Sequence, residues 1–151
     1  MIKIENLSKK YDKENVLDNL NCTIKDGSIY GLVGSNGAGK STLLRLINGI
    51  FKADSGSILI DGEEVFENEL IKQDLVFVPD DLFFYPGYTL LDTAKYYDAM
   101  YHKFDMEYLK KLAKTLKLDM NRKISTFSKG MKRQCALICA LPTKSNYTLF
   151  D

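Results

Sequence analysis

"GSNGAGKST", residues 34–42, decides the fold. It fills the pattern G-x-x-x-x-G-K-[ST] with Gly34, Gly39, Lys40 and Ser41. A polyphosphate is wrapped by backbone N–H groups, so side chains must be absent where the chain curls close. The helix that follows adds amides without intrahelical partners and a positive partial charge. Lys40 brings a point charge to the β- and γ-phosphates. The hydroxyl of Ser41 suits magnesium, which prefers hard oxygen ligands. Ser35, Asn36, Gly37, Ala38 and Thr42 complete the candidate cradle. At average residue usage the pattern arises by chance in under about 1% of chains this long.

The flanks fit the loop's needs. "IYGLVG" at 29–34 reads as a short buried strand, and Leu43, Leu44, Ile47 and Ile50 recur at helical spacing behind the loop. Upstream, Ile2–Ile4 and Val16–Ile24 alternate as strands, and "KDGS" at 25–28 is a tight turn. Downstream, Gly56 to Val65 reads as strand, Asp-Gly turn, strand, and "LVFVP" at 75–79 as a buried strand ended by Pro79. From Thr89 the pattern becomes helical. Thr89 and Asp92 can cap one helix, and Asp105 a second. A third starts after Ser128 and runs to Pro142, and "YTLFD" closes as a strand. Strands, then a helical block, then helix and strand again predict an α/β core with a helical insert.

Composition excludes several classes. The 151 residues make one domain by length, and 45% hydrophobic with 27% charged residues is ordinary for a globular chain. A formal net charge of +1 gives no reason to expect nucleic acid. Lys110, Lys111, Lys114 and Lys117 cluster at helical spacing and read as a solvated helix face. No run approaches the roughly 18 apolar residues of a spanning helix, and the first residues lack a signal peptide's apolar stretch. A cytoplasmic protein is the expectation. Cys22, Cys135 and Cys139 have no metal spacing. Cys135 and Cys139, four apart on a helix, read as small buried residues. The single histidine, His102, reads as a surface residue of the insert. A guanine-reading motif is missing, since "TKSN" at 143–146 lacks its aspartate. The arginines near recognisable motifs, Arg122 and Arg133, are too few for a small-molecule kinase.

The order of motifs resembles, end to end, the ATP-binding subunit of an ABC transporter. The resemblance runs through "KKYDKENVLDNLNCTIKDGSIYGLVGSNGAGKSTLLRLINGIFKADSGSILIDGEEV", "LVFVPDDLFFYPGYTLLDTAKYY", "ISTFSKGMKRQCALICAL" and "YTLFD". It is closest to the bacterial exporter type. It implies a P-loop NTPase α/β core with an antiparallel β subdomain in 1–88, a helical insert in about 89–127, and a signature helix with the Walker B strand in 128–151. It also implies ATP and magnesium as cofactors.

By the resemblance, Tyr11 stacks on adenine with Val16 beside it. A base on an aromatic ring is worth about 1–3 kcal/mol. A half-buried tyrosine at a strand end is the plainer reading of the same residue. Ser128, Lys129, Gly130 and Met131 match the signature that contacts the γ-phosphate of ATP on a second subunit. The residues alone read as an N-cap worth about 1 kcal/mol, and both readings hold together. Asp80 falls where the family has a magnesium-sensing glutamine. It reaches a metal only through water, or else forms a turn with Asp81. The segment 80–100 is the implied surface for a transmembrane permease subunit. Phe83, Phe84 and Tyr85 serve either that interface or the core.

Asp151 matches the aspartate that positions magnesium. In the family a glutamate follows and polarises the attacking water, which leads to the expectation that this chain is the first part of a longer subunit. Without a general base, worth ~10²–10⁴-fold, it binds ATP better than it hydrolyses it. The family's strand order also leads to an expectation that 29–33 and 147–151 pair directly or borrow a strand from another copy. Unpaired backbone groups buried dry cost about 1–3 kcal/mol each. The candidates are therefore a transporter ATPase at the inner face of the membrane, a nucleotide-binding module without turnover, and a soluble regulator without a membrane partner.

Overall fold

Apolar residues on alternate positions make the first strand, and one inserted residue re-phases it. β1 (Ile2–Tyr11) buries Ile2 and Ile4, then Leu7, so the alternation slips by one. The slip lies at Asn6, whose φ is 49°, where the ladder register also shifts. A bulge of this kind bends and twists its strand. β1 pairs antiparallel with β2 (Glu14–Ile24) and β3 (Ser55–Ile60), and β3 turns into β4 (Glu63–Glu64), giving the order β2-β1-β3-β4. Gly56 lies against the bulge. A Cβ there would stand 2.4 Å from the carbonyl oxygens of Glu5 and Asn6, so no other residue fits. Asp61 and Gly62 both have positive φ, which suits the mirror-image turn of a two-residue hairpin.

The computed structural model describes residues 1–12 and 14–151. They divide into two packing units, Met1–Lys72 with Asp151, and Gln73–Phe150. In the first unit α1 (Lys40–Ile47) buries Leu43, Leu46 and Ile47. It stops earlier than the apolar spacing suggests. The Gly49 amide donates to Leu46 O and the Ile50 amide to Arg45 O, a Schellman closure with Gly49 at φ 64°. Ile50 is therefore outside the helix and exposed. A single turn, α2 (Glu69–Lys72), ends the unit.

The buried strand expected at 29–34 does not form. Ile29 is 104% and Val33 94% exposed, and among the described residues no strand pairs with this segment. Apolar composition makes a strand only when a neighbour supplies a ladder and a covered face. Direct pairing of 29–33 with 147–151 is not found either.

In the second unit β5 (Leu75–Val78) pairs in parallel with β6 (Tyr147–Phe150), Leu75 opposite Tyr147. α3 (Leu90–Met100) opens with the Thr89–Asp92 capping box, α4 (Met106–Thr115) with Asp105, and α5 (Lys129–Ala140) with Ser128. Leu90, Ala94, Leu109, Ile124, Phe127 and Ile138 make the core between these helices, joined by the fully buried Cys135 and Cys139. The hydrogen bond with Cys135, and then burial, push the Cys139 thiol pKa well above its usual range. The four lysines of 110–117 and His102 are exposed, as the sequence predicts.

Candidate functional site

The phosphate loop hangs between an open segment and a buried anchor. Gly34 to Ala38 are exposed, whereas Gly39 is buried. Gly39 has φ 82°, a left-handed conformation, and forms the N-cap of α1 without any side-chain cap. A Cβ at Gly39 would meet Val16 O at 2.9 Å and Val16 Cγ1 at 3.0 Å. This close approach brings Val16 beside the loop. It also leaves the first amides of α1 to whatever lies in the loop. Gly37 (φ 83°) has open space around it, so its backbone angle is what calls for glycine there.

The Lys40 ammonium donates to Gly34 O and Ser35 O, both at 2.7 Å. Two of its three donors thus fix the charge over the mouth of the loop. Ser41 Oγ donates to Asp151 Oδ1 at 2.8 Å, a contact between residues 110 apart in sequence. Tyr11, at the end of β1, is 43% exposed. Its ring meets Phe51 edge-on at 6.3 Å, with Lys9 Nζ 5.9 Å from its centroid. It is tethered on one side and leaves ring surface for stacking.

Ser128, Gly130 and Asp80 belong to the second unit. Ser128 Oγ accepts the Met131 amide at 3.2 Å. Gly130 faces open space, with only Ser128 Oγ at 4.0 Å from a Cβ built there. Asp80 forms an ion pair with Arg133 Nη2 at 2.7 Å. The sequence flagged Asp80 for a metal and did not foresee this partner. Arg133 lies five residues beyond Ser128, and that proximity in sequence was the available signal.

Magnesium nucleotide fits the first unit's donor set. Among the described residues no group of three His, Cys, Asp or Glu could hold a metal ion alone. One hydroxyl and one carboxylate 2.8 Å apart suit a small hard cation that takes its other ligands from phosphates and water.

The ABC transporter family model matches residues 17–151. The chain belongs to this family. It is 36% identical to the ABC transporter ATP-binding protein YtrB of Bacillus subtilis over 151 residues, all of this chain and 52% of the relative. It spans about half the length of the first curated relatives it matches. Among solved structures, the ATP-binding subunit of an ABC transporter superposes with a TM-score of 0.91 at 27% identity, covering all of this chain and 65% of that one. A dimeric ATP-binding cassette in a post-hydrolysis state with ADP and Pi gives 0.85 at 26% identity, covering all of this chain and 73% of that one. The fold is therefore that of the P-loop cassette, with an antiparallel sheet and a helical region. Among the described residues, no helix is long and apolar enough to cross a membrane.

Proposed function

We propose that the chain is the nucleotide-binding part of an ABC transporter ATPase. The observation that carries the reading is the Ser41–Asp151 contact beside Lys40. Three residues that the loop chemistry requires, from opposite ends of the sequence, fall within one unit. Gly34 to Thr42 present amides to the phosphates. Lys40 moves from its two loop carbonyls to the β- and γ-phosphates. Ser41 and Asp151 hold a magnesium ion, whose charge offsets that of the phosphates. Tyr11 and Val16 receive the base. Ser128 and Gly130 serve the nucleotide of a second subunit, and Asp80, held by Arg133, reaches the metal only through water. The segment 80–100 meets a transmembrane permease subunit, which places the chain at the inner face of the membrane. The organisation into 1–88, 89–127 and 128–151 belongs to the same reading.

For these 151 residues alone, binding exceeds turnover. Among the described residues Asp151 is the carboxylate hydrogen-bonded at the loop, and it is committed to the metal side. Titration with magnesium ATP tests this. Lys40→Ala should lower affinity at least tenfold, the scale of a lost charge-assisted hydrogen bond. Turnover should stay ~10²-fold or more below that of a longer relative. Equal affinity in the variant overturns the binding site, and equal turnover overturns the binding-only reading.

A further inference from the structure

Within the second unit, six rings and Thr93 line a cavity of about 170 Å³: Phe83, Phe84, Tyr85, Tyr88, Tyr96 and Tyr97. Tyr85 is the hub, with ring centroids at 5.1 Å to Tyr88, 5.4 Å to Phe83 and 5.6 Å to Tyr96. The loop side chains alternate. Phe84 packs against the helical core, while Phe83 is 74% and Tyr85 45% exposed. One aromatic anchors the loop, and two are presented outward.

The cavity is smaller than the roughly 300–1,000 Å³ of small-molecule sites. A water takes about 30 Å³ in the liquid, so the space suits a single side-chain head. Its lining is aromatic rings and tyrosine phenols, groups able to attract positive charge. The phenols also engage one another, since Tyr96 is hydrogen-bonded to Tyr85, which raises its pKa. Segment 80–100 carries four aspartates against Lys95. Asp80 pairs with Arg133 and Asp92 caps α3, so Asp81 and Asp98 carry the negative charge that a partner meets. Among the described residues the chain's own cations stand over Tyr11, Phe51, Phe66 and Phe127, and over none of the cavity's rings.

We propose that this cavity receives one cationic head, an arginine guanidinium or lysine ammonium, from the membrane partner. The proposal rests on the reading that 80–100 meets such a partner. It adds a chemical identity for the contacting residue. The rings hold the cation, and Asp81 and Asp98 of the same segment steer it and disfavour an acidic segment.

The test uses the full chain in cells of its source, with a photo-reactive phenylalanine replacing Met100. That residue is exposed and one turn beyond Tyr96. Cross-linked peptides are identified by mass spectrometry. The expected product is a membrane-subunit peptide containing Arg or Lys. Tyr85→Leu, Tyr96→Leu and replacement of that partner cation by Gln should each cut the yield about tenfold, while Tyr85→Phe keeps it. A membrane-subunit product whose yield survives the Leu variants or the Gln replacement overturns the cation and leaves the membrane reading standing. No membrane-subunit product overturns both. If melting shows that Tyr85→Leu does not fold, Tyr88→Leu at the rim replaces it.

Discussion

Two helices begin next to glycine, and they treat their free amides in opposite ways. α1 starts at Gly39, a buried left-handed residue, with no side chain over its first turn. α5 starts at Ser128, whose hydroxyl takes the Met131 amide, and carries Gly130 in open space. At Gly39 the chain itself demands glycine. At Gly130 nothing among the described residues does. A glycine kept in a helix without an internal reason costs about 0.5–1 kcal/mol relative to alanine. On the proposed function, the contrast separates a site built by this chain from one completed by a second subunit.

Gly39→Ala is the most damaging way to test that contrast. The new Cβ meets Val16 O at 2.9 Å, and φ 82° is unfavourable for any L side chain. The expected loss is about 3 kcal/mol of stability, together with magnesium-ATP affinity. Urea unfolding measures the first and titration the second. Full stability in this variant would mean that Val16 and the loop are not in contact in solution.

How much of this was legible beforehand follows from the same physics. The loop, the caps at Thr89, Asp105 and Ser128 and the buried cysteines depend on a few adjacent residues, and the sequence displayed them. The segment 29–33 did not obey its composition. "IYGLV" and "LVFV" are similar apolar runs, yet Leu75–Val78 has Tyr147–Phe150 beside it and 29–33 has no ladder among the described residues. Strand formation is a property of pairs, so one run cannot report it. The Asp80–Arg133 pair and the Tyr85-centred cavity were hidden for a related reason. Both depend on which side chains the helices bring to the loop after β5.

The α5 start gives two smaller effects of opposite sign. Ser128→Ala removes the cap and should cost about 1 kcal/mol. Gly130→Ala should instead stabilise the isolated chain by about 0.5 kcal/mol, because the space is open and alanine prefers a helix. Thermal melts of both variants decide it. Under the proposed two-subunit arrangement, Gly130→Ala should nevertheless lower ATPase activity at least tenfold, as expected where a partner's phosphate approaches the backbone. Loss of stability in the isolated chain would make Gly130 a structural residue, and the contrast with Gly39 would disappear.

The smallest effect separates the capped helices by pH. The Asp105 carboxyl is held below its usual range, first by the hydrogen bond from Lys144 and then by the Tyr108 amide at the start of α4. A depressed folded-state pKa means stability fully present above the unfolded value of about 3.9, and lost as pH falls through the folded value. Asp105→Asn keeps a capping oxygen and removes the charge. Melts of the two proteins should differ slightly at pH 7, with the native chain the more stable, and converge as pH falls below the unfolded value and through the lower folded one. α1 has no carboxylate cap, so Lys40→Ala, measured in the same way, should give a difference that stays flat across this window. A gap for Asp105→Asn that persists at low pH would show that the Lys144 and Tyr108 contacts do not act through charge.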